Sequence, residues 1–321
     1  MRRIMLTVAY DGTDYVGWQM QPNGIAVEQV INKALSDLLK EEIVIAGASR
    51  TDSGVHALGN VAIFDTETRI PADKICFALN QRLPKDIVCT KSLEVKPDFH
   101  PRHADCTKIY EYTIYNAVHP DPIKRRYSYF VYVPLDIDAM RKAAGYLLGE
   151  HDFASFCSAH AQVKTTVRTI YSLDIFCDET GRNVSACCCG NGADDSSQEL
   201  SDDSFNQNTD VPDSYSLSIK NGRNEHSADI ERMIDGTEKE NSRRKYMSHN
   251  IAIRISGNGF LYNMVRIIVG TLVKVGYHFY PPEYVKKILE GRDRKLAGPK
   301  APAEGLKLVG IEYRPEDYMI M

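Results

Sequence analysis

Arg50, Asp52 and His56 fall on alternate positions of one short stretch, "RTDSGVHA". In extended chain, residues two apart project to the same side. That puts a guanidinium beside a carboxylate, which lowers the carboxyl pKa and fixes its rotamer. Gly54 lets the backbone turn sharply or lets another group approach closely. An ionised, oriented carboxylate of this kind can act as a nucleophile or a base. A turn aspartate paired with an arginine would show the same local pattern, and on these residues alone that simpler reading stands open. His56 could join Asp52 in a metal site, but such a site needs three or more ligands and the sequence places no further cluster. Ser53 lacks the G-x-S-x-G elbow of a serine hydrolase.

Three other places carry groups suited to chemistry or binding. "TKIYEYTIYN" holds Tyr110, Tyr112 and Tyr115. Tyr110 and Tyr112 share one face of a strand, either as ordinary sheet packing or as a platform for a flat base. "KRRYSYFVY", from Lys124 to Tyr132, mixes bases with aromatics as nucleic-acid surfaces do. Arg266 lies among Val265, Ile267 and Ile268 in an otherwise apolar helix pattern. A buried arginine needs a partner, and Asp52 is the expected one. A plain solvated position is the alternative.

Regular elements must hold these groups. "EEIVIAGAS" leads into the Arg50 stretch as a strand and "NVAIFDT" leads out as another. "RIMLTVAYDG" is a first strand, and "VEQVINKALSDLLK" has a helical apolar stripe at Val27, Val30, Ile31, Ala34, Leu35 and Leu38. "PADKICFALNQRL" opens a helix on proline, and "CTKSLEVKPDFH" and "TKIYEYTIYN" read as strands. The order predicts an α+β layer, with helices over one face of a mainly antiparallel sheet. Residues 1–105 form the first expected domain and 106–321 the second. In the second, "DIDAMRKAAGYLLG", "GFLYNMVRIIVGTLVKVG" and "PPEYVKKILEG" are helices; "VRTIYSLDIFC", "NIAIRISG" and "GLKLVGIEY" are strands.

Bulk properties narrow the class. The chain has 321 residues, 43% hydrophobic and 26% charged, which suits a soluble protein with a sizeable core. No apolar run reaches the roughly 18 residues of a membrane span; Asn263, Arg266 and Lys274 break the best candidate. The first residues read as a strand without a signal h-region, so a cytoplasmic location is expected. Of the eight cysteines, Cys187, Cys188 and Cys189 are adjacent and none forms a C-x-x-C pair, so reduced thiols are expected. The net charge is −4, but Asn183–Lys245 alone holds 13 acids against 7 bases, leaving 30 acids and 32 bases elsewhere. Outside that segment a nucleic-acid partner fits. The segment is rich in Ser, Asp, Asn and Gly and predicts a mostly disordered insertion at 183–245, with a brief strand at "SYSLSI" or helix at "ADIERMID".

The motifs together resemble a known family. "GASRTDSGVHALGNVAIF" resembles the "G-R-T-D-A-G-V-H-A-x-G-Q-V" signature of the TruA-type tRNA pseudouridine synthases. The likeness continues through "DFHPRHADCTKIYEYTIYN", "GEHDFASFC", "RTIYSLDI", "GNGFLYNMVRIIVGTLVKVG" and "APAEGLKLVGIEY", in the family's order across nearly the whole chain. The resemblance implies two similar α+β domains with joined sheets and an active-site cleft between them. It implies isomerisation of uridine to pseudouridine in tRNA without a cofactor or metal, at positions 38, 39 and 40 of the anticodon stem-loop. It implies a homodimer with tRNA lying across both subunits in a basic groove. The family's catalytic aspartate falls on Asp52, as an ionised carboxylate that adds to the anomeric carbon or removes a proton from its neighbour. Tyr110 takes the place of the tyrosine that stacks on the flipped base, Arg266 that of the "M-V-R" arginine, and Leu306 that of a residue near the base. Arg50 and Arg266 would favour ionisation of Asp52. The target nucleotide must be extruded to reach such a cleft.

Ser49, Ser53 and Asn60 stand where the family often has Gly, Ala and Gln, and Lys108 replaces a frequent arginine. The acidic insertion is the larger departure. An inactive tRNA-binding or folding helper would keep the same fold, and a metal hydrolase around Asp52 and His56 would depend on metal. An acidic segment over the groove would repel tRNA, so Asn183–Lys245 is expected to project away from it. Its deletion should leave tRNA affinity in a filter-binding assay nearly unchanged; a large change in Kd would overturn that placement.

Overall fold

A computed structural model of the chain describes residues 1–158, 164–178 and 249–320. The insertion expected at 183–245, with its strand and helix, lies outside the described residues. The elements run β1 (Arg2–Tyr10), α1 (Val27–Leu39), β2 (Ala46–Gly47), β3 (His56–Thr66), α2 (Ala72–Asn80), β4 (Ile87–Val95) and β5 (Cys106–Asn116). They continue with β6 (Tyr129–Val131), α3 (Ile137–Gly145), β7 (Gly149–Asp152), β8 (Val167–Asp178), β9 (His249–Gly257), α4 (Met264–Gly276), α5 (Tyr284–Gly291), β10 (Leu306–Tyr313) and α6 (Pro315–Tyr318).

The described strands make one ten-stranded sheet in the order β4-β1-β3-β10-β5-β9-β8-β7, with β2 on β3 and β6 on β5. Pairing is mainly antiparallel, as the sequence pattern predicts; β10 on β3 and β6 on β5 are parallel. Alternation explains which way each strand faces. Ile251, Ile253 and Ile255 of β9 and Tyr110, Tyr112 and Ile114 of β5 all turn into the main core. Val27, Ile31, Ala34 and Leu35 bring α1 onto that same core. The opposite face has a small cluster around Met5, Val61, Ile63 and Phe99.

Several elements differ in extent from their sequence pattern: β3 starts at His56, ahead of "NVAIFDT", β4 ends at Val95, leaving out "KPDFH", and two more differences have a clear physical reason. The strand expected over "EEIVIAGAS" shrinks to Ala46–Gly47. Upstream of it, α1 side chains take the backbone donors: Ile43 N–H bonds Ser36 Oγ at 3.0 Å and Ile45 N–H bonds Asn32 Oδ1 at 2.9 Å. The apolar periodicity therefore marks burial of Ile43 and Ile45 against the helix, not a ladder. The second difference is the start of α4. "GFLYN" stays outside it, because Asn263 adopts φ 61° and the helix begins at Met264. Helix α4 is buried on nearly every side, as an all-round apolar helix must be.

Strand β10 sits at the centre. It pairs Lys307 with His56 and Leu308 with Ala57 on one side, and Leu308 with Tyr110 on the other. Leu308 is fully buried. Leu308→Ala is expected to cost about 2–5 kcal/mol, and urea unfolding should show one transition. Two separated transitions would overturn the view that β10 binds the two halves into one cooperative sheet.

Candidate active site

The Arg50–Val55 turn is held from both sides. Thr51 is buried and its Oγ1 lies 2.7 Å from Tyr10 Oη. Beside the inward Thr51, Arg50 is exposed and Asp52 only partly so. The segment ahead of α1 clamps the turn through its backbone. Trp18 N–H donates to Thr51 O at 3.1 Å, and Gly54 N–H donates to Tyr15 O at 3.3 Å. Ser53 Oγ donates to the same Tyr15 carbonyl at 3.2 Å. Gly17 makes that approach possible: its φ is +107°, and a Cβ there would lie 2.5 Å from Thr51 O.

Asp52 meets Arg266, as the sequence reading expects. Arg266 Nη1 lies 3.3 Å from Asp52 Oδ2. The guanidinium is itself fixed: Nε donates to Ala301 O at 2.8 Å and Nη1 to Asn263 Oδ1 at 3.1 Å. Asn263 Nδ2 in turn donates to Ser158 Oγ at 2.9 Å. The side chain of Arg266 is only 9% exposed and that of Asp52 22%. Arg50 does not join them. It is exposed and makes no hydrogen bond or ion pair among the described residues, so the expected Arg50–Asp52 pairing is not made. The expected lowering of the carboxyl pKa is corrected as well. Burial raises Asp52 above its ordinary 3.8, and the Arg266 and Lys300 charges only partly oppose it.

Tyr110 closes the site from β5. Its Oη lies 2.8 Å from Ser49 Oγ, and its ring meets Phe260 edge-on at 5.3 Å. Burial pushes its phenol up to about 12, eased by the Ser49 hydroxyl and reinforced by the Asp52 charge. At neutral pH the phenol is therefore protonated. Tyr112, on the same face, is core: it is fully buried and its Oη donates to Pro302 O at 2.8 Å. Leu306 is buried opposite Tyr112 in the sheet. Tyr115 carries the Lys124 ammonium over its ring at 4.0 Å.

His56 has a different role from the one a metal reading needs. It begins β3, and its Nε2 faces the carbonyls of Arg126 at 2.9 Å and Glu304 at 3.2 Å, so that nitrogen bears a proton. Nδ1 receives the Gly12 N–H at 3.1 Å and lies 3.1 Å from Asp11 Oδ1. Both nitrogens are engaged in joining chain segments. Ser49, Asn263, Phe260 and the Ala301 carbonyl are the site residues that sequence reasoning missed. The only sequence signal for Asn263 was its place just before "MVR". The Ala301 carbonyl has none, because any residue supplies one.

The chain matches the family described as tRNA pseudouridine synthase over residues 6–103 and 143–314. It is 39% identical to tRNA pseudouridine synthase A of Ruminiclostridium cellulolyticum over 313 residues, which covers 98% of this chain and all of the relative. It is 38% identical to tRNA pseudouridine synthase A 2 of Clostridium perfringens and 39% identical to tRNA pseudouridine synthase A of Acetivibrio thermocellus, with the same coverage.

The Asp52 environment has a pH consequence. Ionisation is opposed by burial and favoured by Arg266. Activity that needs the carboxylate should fall, as pH drops, through a value above 3.8. Removing the guanidinium leaves burial less opposed, so Arg266→Gln should move the acid limb of kcat/KM to higher pH. An unmoved or lowered limb would show that Arg266 does not set the carboxyl's ionisation.

Proposed function

The chain belongs to the tRNA pseudouridine synthase family, and from that premise we propose that Asp52 is the carboxylate on which its reaction turns. The protein is an isomerase that converts uridine to pseudouridine in tRNA. The reaction breaks the bond between uracil N1 and the ribose C1′, turns the base, and joins C5 to C1′. The C5 proton leaves and N1 gains one, so the balance needs no oxidant or energy source. The observation that carries the assignment is a largely buried carboxylate, in a turn clamped on both sides, held by a more deeply buried guanidinium.

In this reading Asp52 works as an ionised group on the ribose, adding to C1′ or taking a proton from C2′. Arg266 keeps it charged and aimed. Tyr110 packs against the extruded uracil, with its hydroxyl held by Ser49; as a protonated phenol it can donate a hydrogen bond before it accepts any proton. Leu306 lines the base side of the pocket. Arg50, exposed at the rim of the turn, meets the RNA backbone. No cofactor or metal takes part. Residues 1–105 and 106–321 act as two domains flanking this cleft. The substrate is the anticodon arm, at positions 38, 39 and 40, bound by a cytoplasmic homodimer that lays the tRNA across both subunits. None of the described helices is long and apolar enough to cross a membrane, in keeping with that setting.

Tritium release from tRNA carrying 5-tritiated uridine tests the assignment, because forming the C5 bond expels the label. The wild type should release it without added metal or nucleotide. Asp52→Asn should lose at least about 10⁴-fold in rate while still binding tRNA. Release by Asp52→Asn at the wild-type rate would overturn the role of Asp52, and the tRNA positions that lose label would test the 38–40 assignment.

A further inference from the structure

On the face of the sheet that carries Tyr110 lie two cations, Lys108 and Arg168, with no carboxylate ion pair among the described residues. Lys108 pairs with Gly257 across β5 and β9, and Gly257 pairs with Ile170 across β9 and β8. The three share one row and therefore one face. Tyr110 is two residues along from Lys108 and Arg168 two along from Ile170, so both turn to that face as well. Gly257 puts no side chain between them. Arg168 leans over the next turn, where its Nε would lie 3.7 Å from a Cβ at Gly259.

Neither side chain has a counter-charge among the described residues. Lys108 Nζ donates to Ala48 O at 3.0 Å, using one of its three N–H groups. Arg168 Nη1 donates to the carbonyls of Thr165 and Val167 at 3.0 and 2.6 Å. Its Nε and Nη2 have no hydrogen-bond partner among the described residues. Burial pushes both pKa values down; Cys106 partly opposes it at Lys108 and Cys157 at Arg168, while the Arg168 and Arg102 charges add to the lowering at Lys108. Two partly buried cations that repel one another cost free energy unless an anion joins them.

We propose that Lys108 and Arg168, with Arg102 at the rim, form an anion subsite that takes an RNA phosphodiester next to the extruded uridine. This rests on the reading of Asp52 and Tyr110 as the uridine site. The neighbours of the subsite set its register. Ala48, which holds Lys108, adjoins Ser49, which holds Tyr110. Gly259, under Arg168, adjoins Phe260, which packs on Tyr110. A phosphate gripped here would lie on the same face of the sheet as Tyr110. Arg168 keeps the planar fork that suits a phosphate oxygen pair, and Lys108 supplies a point charge with two free donors.

The test is binding of an unmodified tRNA transcript to the full chain across a salt series, alongside steady-state kinetics. Lys108→Gln and Arg168→Gln should each weaken Kd about tenfold at low salt, and KM should take most of the kinetic change. Each should reduce the slope of log Kobs against log salt by about 0.7–0.9, the loss of one phosphate contact. Lys108→Arg should restore the wild-type slope. An unchanged slope, with or without a fall in kcat, would overturn the subsite and assign these residues to packing around Ser49 and Tyr110. Arg168→Gln, remote from the core strands of the turn, keeps the test decisive if Lys108→Gln melts early. A wild type that binds tRNA but releases no tritium would sink the uridine-site reading instead, and the slope would still judge the anion subsite.

Discussion

A guanidinium beneath the surface of a protein cannot be left alone, and Arg266 shows how much structure that requirement organises. Its three partners come from three parts of the chain: the Asp52 carboxylate, the Asn263 amide and the Ala301 carbonyl. Each must arrive in place for α4 to be buried. Asn263 takes a left-handed backbone to do so, which an asparagine tolerates better than most residues. The chain after α5 returns so closely that the Ala301 N–H also bonds the Arg266 carbonyl, at 3.0 Å. The charge is thus satisfied in part by the same carboxylate to which the reaction is assigned.

That shared use creates a tension. Burial works against ionising Asp52, while the pair with Arg266 works for it. A carboxylate in this balance is less hydrated than one in water. The backbone clamp around the turn holds the carboxylate where burial and the Arg266 charge both act on it. The bonds from Trp18, Gly54 and Ser53 join distant parts of the chain and are mostly backbone in origin, so side-chain changes on the turn disturb them little.

Much of this arrangement could be read from residue order. The long strands and the amphipathic α1 follow from periodicity alone, and the motif around Asp52 identified the turn. Arg266 was legible because a charge inside "VRII" demands explanation. The errors share a cause. Ile43 and Ile45 have a strand's alternation, yet Ser36 and Asn32 side chains claim their amides. Arg50 is spaced to meet Asp52, yet the guanidinium goes to solvent and a residue far along the chain takes its place. Spacing reports which side a residue faces but not which of two cations reaches it first. Partners that are backbone atoms, such as the Ala301 carbonyl, leave no mark in the sequence at all.

The central position of β10 has a consequence for how the molecule comes into being. The sheet's middle strand is the last of its strands in chain order, and it is hydrogen-bonded to β3 and β5 from the earlier half. During synthesis those two edges stand open, with unpaired amides and carbonyls that could recruit another nascent chain. Pairing at such separation along the chain is also slow, because a long loop must close before any contact rewards it. The polypeptide therefore acquires its active form late and all at once, and the interval before β10 docks is when it most needs protection from its neighbours.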